Sequence, residues 1–134
     1  MSGRPAAAAV ALAAAASLAL GAGPAAGEDA PQAPNRMLVR ATEYDLTLSR
    51  SEIGPGPALI QLYNGGEDAH NLQIRRQKGG PVHAVEELEP GETGSVELRL
   101  RKGVRYRLWC SLQNHRDLGM EAGLRVKRKP PAGP

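Results

Sequence analysis

An all-β sandwich or barrel is the fold class that this sequence predicts, and three observations predict it. Apolar and polar residues alternate in six or more short segments, as in Val96, Leu98 and Leu100 against Glu97, Arg99 and Arg101. Gly and Pro turn signals separate these segments at intervals of roughly 8 to 12 residues, the spacing of sandwiches and barrels. No long stretch carries a helical period.

The chain opens outside that pattern. Residues 1–4 (MSGR) carry positive charge, residues 5–20 are an uncharged alanine-rich run, and small residues follow as far as Gly27. That three-part layout is the layout of a secretory signal peptide. A membrane span needs about 20 strongly apolar residues, and this run is short and mostly alanine. Cleavage is expected near Gly27 or Ala30, so residues 1–27 read as the signal peptide. Residues 28–36 read as a flexible lead, 37–128 as the folded domain and 129–134 as a disordered tail. Export to a periplasm or to the exterior follows, with a membrane partner only if the segment stays uncleaved. No cysteine lies near the cleavage point, which argues against a lipid anchor.

Within the domain the strands fall in order. MLVRATEYDLTLS, residues 37–49, alternates in Tyr44, Leu46 and Leu48, and GPGP at 54–57 breaks it. ALIQLYN (58–64) and HNLQIRR (70–76) are strands separated by the loop GGEDA. Residues 82–94 read as mixed, with Val82 to Leu88 a short helix or turn and Pro90-Gly91 a clear turn. SVELRLR (95–101), VRYRLWC (104–110) and AGLRVKR (122–128) are the last strands. The chain has no phenylalanine, so Leu, Val and Ile, with Tyr44, Tyr63, Tyr106 and Trp109, are expected to fill the core.

Charge excludes one class of partner. Without Arg4 the 17 Lys and Arg fall to 16, against 14 Asp and Glu, too balanced for nucleic acid. A monomer is expected.

Cysteine usage is the informative anomaly. Small exported domains commonly rely on disulfides, yet this chain has a single cysteine, Cys110. A lone thiol in an oxidising compartment is open to oxidation unless it is buried or ligated. In WCSLQNHRDLGM, Cys110 is followed by His115 and Met120 at equal spacings of five, directly after the only tryptophan. One Cys, two His and a weak axial Met make up the ligand set of a blue copper site. A thiolate bonds covalently to copper, two imidazoles complete a plane that suits both Cu(I) and Cu(II), and a distant thioether changes little between them.

The second histidine has two candidates. His70 begins a strand beside Asn71, and His83 sits in the mixed segment. His70 is preferred, because a strand terminus is a fixed point, and His83 reads as a surface residue. Trp109 must point away from Cys110 and reads as core or sheet packing. Gly119 reads as permitting a tight turn before Met120. Arg116 and Asp117 read as solvated, or as part of a docking surface.

These residues carry a resemblance. LYNGGEDAHNLQI, LEPGETGSVELRL and YRLWCSLQNHRDLGMEAGLRV together resemble the cupredoxins of the plastocyanin and azurin group, over residues 37–126. The resemblance implies a Greek-key β-sandwich with one copper at one end. It implies His70, Cys110 and His115 as equatorial ligands, Met120 as the axial one, and Asn71 tying the two ligand segments together through Ser111. The gap of four residues between Cys110 and His115 is longer than in plastocyanin and resembles azurin or rusticyanin. The gap of four between His115 and Met120 is one more than in azurin, and Gln113-Asn114 replace a pair that is often small or Pro-Gly.

The function so implied is one-electron transfer, not catalysis. The expected partners are redox proteins: a c-type cytochrome, an oxidase or a reductase. Electrons are expected to pass through the His115 ring edge, with His70 the more buried ligand. The alternative is copper binding or delivery without electron transfer. Delivery proteins favour several exposed Met and His, and only Met37 and Met120 remain after processing.

Overall fold

The computed structural model describes residues 32–128 and, ahead of them, residues 2, 3, 6, 9, 11, 13–15 and 21. The expected cleavage region and the tail 129–134 lie outside the described residues. The chain divides into two units, Met1–Ala30 and Pro31–Pro134. All described strands belong to the second.

Nine strands run in order: β1 Asn35–Thr42, β2 Asp45–Leu48, β3 Glu52–Ile53, β4 Gly56–Asn64, β5 His70–Arg76, β6 His83–Leu88, β7 Thr93–Leu100, β8 Arg105–Trp109 and β9 Glu121–Val126. They form a four-stranded sheet, β2-β1-β4-β7, and a five-stranded sheet, β3-β9-β8-β5-β6. The chain passes from one sheet to the other between β2 and β3, β3 and β4, β4 and β5, β6 and β7, and β7 and β8, the repeated crossing of a Greek-key sandwich. β1 begins two residues before the alternation does, at Asn35, whose side-chain amide donates to the Gly54 carbonyl at 3.1 Å.

Register follows from burial. β1 runs parallel to β4, pairing Met37 with Ile60, Val39 with Leu62 and Ala41 with Asn64. All six side chains are buried. A one-residue slip would turn each row to solvent, so the apolar pattern admits only this register. From the other sheet, Leu72, Ile74, Leu108, Leu124 and Val126 close the same core.

The core is more aliphatic than expected. Tyr106 is buried, and its hydroxyl accepts the Arg101 N–H at 3.0 Å. Tyr44 is 40% exposed, and Tyr63 and Trp109 are only half-buried. Branched aliphatic side chains fill the narrow gap between the sheets, and the larger rings lie at its margins.

The segment from Val82 to Leu88 is a strand, not a helix or turn, from His83 onward. The spacing misled because of a bulge. Leu72 pairs with Val85 but His70 pairs with Leu88, so β6 carries one extra residue opposite Asn71. Val85 and Leu88 are therefore both buried although three apart, a spacing that mimics one helical turn.

Candidate metal centre

Four connections meet at one end of the sandwich: residues 43–44, 65–69, 89–92 and 110–120. They meet there because β1 and β4 are parallel and their partners antiparallel.

The loop after β8 is drawn tight by its own backbone. The Cys110 N–H donates to the Met120 carbonyl and the Met120 N–H to the His115 carbonyl, each at 3.1 Å. Two successive turns lie between, closed by His115 N–H to Leu112 carbonyl and Gly119 N–H to Arg116 carbonyl, both at 3.1 Å. The equal spacing of Cys110, His115 and Met120 is thus the spacing that brings three backbones together at the loop's neck. All three side chains are buried.

His70 opens β5 directly after the loop 65–69, and Asn64 shapes that loop. Asn64 is fully buried. Its side-chain amide donates to the Asp68 carbonyl at 2.8 Å and the Leu88 carbonyl at 2.9 Å, while its oxygen accepts the Gly66 N–H at 2.9 Å. Asn71 then ties the two ligand-bearing segments together. Its amide donates to Ser111 Oγ and its oxygen accepts the Ser111 N–H, both at 2.8 Å.

The structure brings His70, Cys110 and His115 into one buried cluster, with one ligand atom from each within 4.8 Å of the other two. Cys110 Sγ lies 3.6 Å from His115 Nδ1, and the two imidazole centroids are 5.1 Å apart. His70 is completely buried, and its Nδ1 has no hydrogen-bond partner. An orphaned buried nitrogen beside a thiol and a second imidazole is costly for a site meant to stay empty. The donor set, one soft thiolate and two imidazoles with a methionine on the same loop, fits copper.

The sequence reading missed Glu43 and Tyr44, in the turn between β1 and β2. Glu43 Oε1 accepts His70 Nε2–H at 2.9 Å, Glu67 N–H at 2.9 Å and Asp68 N–H at 2.7 Å. The Asp68 N–H above all, with the Glu67 N–H and the His70 ring, lowers the Glu43 carboxyl from 4.5 to about 2. An ionised carboxylate only accepts, so His70 Nε2 must donate to it, and Nδ1 is the nitrogen left to face the cluster. The Tyr44 ring lies 5.3 Å from that of His115. Neither residue belongs to a motif. The β1–β2 turn reaches the site only because β1 ends beside β4.

Gly119 closes the same contact. It adopts φ +120°, and a Cβ there would stand 2.9 Å from the Tyr44 carbonyl oxygen. Gly119→Ala is therefore expected to cost about 1–3 kcal/mol through backbone strain and that clash. Urea unfolding of the metal-free protein checks it; a loss below a few tenths would mean that the turn relaxes freely.

The remaining candidates fall outside the cluster. Trp109 lies on the outer face of its sheet, with the guanidinium of Arg116 4.7 Å and that of Arg75 5.7 Å from its ring centroid. Of its two expected roles, sheet packing holds and core packing does not. Arg116 is half-buried on that ring and pairs with Glu121 at 3.4 Å, so it is not simply solvated, whereas Asp117 is exposed. His83 is half-buried and pairs with Ile74, four residues along β5 from His70. That separation, about 14 Å of strand, removes it from the site.

No protein-family model matches the chain, and no curated protein does. Solved structures do. Auracyanin A, a "blue" copper protein from the green thermophilic photosynthetic bacterium Chloroflexus aurantiacus, superposes with a TM-score of 0.57 at 16% identity, over 71% of this chain and 100% of its own. The chain has the cupredoxin fold. The dithionite-reduced auracyanin of Roseiflexus castenholzii gives a TM-score of 0.55 at 17% identity, over 68% of this chain and 95% of its own. A copper-containing nitrite reductase from Thermus scotoductus gives 0.53 at 15% identity over 74% of this chain, which matches 32% of that enzyme. The cupredoxin fold thus occurs both as a whole small protein and as one part of a larger enzyme. This chain spans nearly the full length of the former.

Proposed function

We propose that this protein is an exported blue copper protein that carries one electron at a time between redox partners. The observation that carries the reading is the buried cluster of Cys110, His70 and His115, with His70 Nδ1 unpartnered, at the loop end of a cupredoxin fold. His70, Cys110, His115 and Met120 would hold the copper. The metal would supply the one-electron couple between Cu(II) and Cu(I). The chain's part is to keep the donors fixed, dry and indifferent to the change of state. The hydrogen bonds of Asn64, Asn71, Glu43 and the loop neck do that on every side.

The route for the electron is the His115 ring. His115 is 4% exposed whereas His70 is 0% exposed, and His115 lines a surface pocket with Asp68, Ala69, Glu87, Leu112 and Gln113. A cytochrome, oxidase or reductase docking over that pocket would approach this ring first. His115→Gly should open the site to external imidazole and slow electron exchange on the order of 100-fold, as ligand-shell losses commonly do. Stopped-flow exchange with a soluble cytochrome c measures it. Normal exchange in the variant would refute the route.

The test of the reading as a whole is a Cu(II) titration followed by visible absorption and electron spin resonance. One copper per chain with an intense thiolate band supports it. Colourless binding, or none, overturns it.

A further inference from the structure

We infer that Glu43 is a positioning residue for the metal centre, fixing which nitrogen His70 offers and biasing the site toward the oxidised metal. The inference rests on the blue copper reading for its redox half only. Its geometric half stands on the metal-free chain.

The geometry has three parts. His70 is buried, so its ring cannot rely on water to choose a tautomer. Its Nε2 faces Glu43 Oε1 at 2.9 Å and its Nδ1 faces no hydrogen-bond partner. The same oxygen is held by the Glu67 and Asp68 N–H groups in the loop that leads into His70. Carboxylate, loop and ring therefore form one unit. The loop aims the carboxylate, the carboxylate accepts the hydrogen bond from Nε2–H, and the Nδ1 lone pair is left for the cluster. A histidine that donates its second N–H to a carboxylate is a stronger donor and rotates less.

The charge has a second effect. The Glu43 side chain is 26% exposed, so solvent screens it only in part. A negative group one ring away from the metal position favours the more highly charged ion by Coulomb's law. The bound site should hold Cu(II) more tightly, relative to Cu(I), with Glu43 than without its charge.

Two measurements test this. Nitrogen-15 NMR of the metal-free full chain should show His70 as a single tautomer, protonated at Nε2. Glu43→Leu should give a mixture. Glu43→Gln, which keeps the shape and loses the charge, should reduce the preference for Cu(II) over Cu(I) about tenfold, read as a rise of about 59 mV in the one-electron potential. Glu67→Gln removes an equal charge from the same loop without touching the ring, and should change the ratio by less than threefold. A wild-type His70 protonated at Nδ1, or the same tautomer in Glu43→Leu, overturns the positioning role. An unchanged potential in Glu43→Gln, or an equal shift in Glu67→Gln, overturns the charge role. Should the wild type bind no copper, the electron-carrier reading falls, while the tautomer result still decides what Glu43 does.

Discussion

Cys110→Ser is expected to abolish the intense visible band of the proposed copper site and to weaken Cu(II) binding by on the order of 100-fold or more, since even losing a ligand's supporting partner costs 10- to 100-fold. A thiolate is the only donor in the cluster that can give strong charge transfer to copper. A hydroxyl is a poor ligand that keeps its proton. The substitution also affects the metal-free fold. Cys110 is fully buried in the apolar core, where a thiol behaves as a small hydrophobe. His115 Nδ1 lies 3.6 Å from the sulfur, and the shorter C–O bond of a serine would leave its hydroxyl out of hydrogen-bond reach of that nitrogen, so about 1–3 kcal/mol of stability should be lost. Absorption during copper titration and urea unfolding of the apo-protein give the two readouts. A retained blue band would remove the thiolate from the site. A neutral effect on stability would show that the hydroxyl finds a partner.

Asn64→Ala is the second large effect, and it should act on fold and site together. The side chain satisfies two carbonyls and one N–H from two segments, Gly66 and Asp68 in the loop 65–69 and Leu88 at the end of β6. Its backbone joins the same junction, accepting the Gly91 N–H at 2.8 Å and donating to the Glu92 carbonyl at 3.0 Å. Truncation leaves three backbone groups without partners, and each such group costs about 1–3 kcal/mol where water cannot reach it. Some will reach water, because Gly66 and Asp68 border the surface. The expected loss is about 3–5 kcal/mol in urea unfolding, a large share of a small domain's total stability. Copper affinity should fall with it, because the loop 65–69 aims His70. If stability dropped and copper affinity were unchanged, the loop would not position the ligand.

Both effects trace to contacts of very different sequence range. Cys110, His115 and Met120 sit on one loop and could be read as a set from spacing, because the hydrogen bonds that gather them are local. His70 could be read with Asn71 because a strand terminus announced both. The partner of Asn71, Ser111, is 40 residues away, and it was legible only through the resemblance that the motif carries. Glu43 is 27 residues from His70, in a turn whose composition is ordinary. Nothing in a linear pattern marks a carboxylate whose role depends on β1 lying parallel to β4.

The same division runs through the fold. Alternation located most strands, because burial on one face of a sheet imposes a period of two on the residues themselves. It failed at β6, where a bulge broke that period, and at Trp109, where alternation assigned the face but not the arginines that would cover the ring. The amino-acid sequence by itself determined the fold class, the local ligand loop and the identity of the four donors proposed for the metal. Those depend on periodicity and on residue chemistry, both of which are properties of the chain. Tertiary structure alone decided which turn closes over the site, that Glu43 meets Nε2 of His70, and that Asn64 ties β4 to the loop 65–69 and to the end of β6. Those depend on strand pairing across the core, where contacts are set by the packing of distant apolar rows.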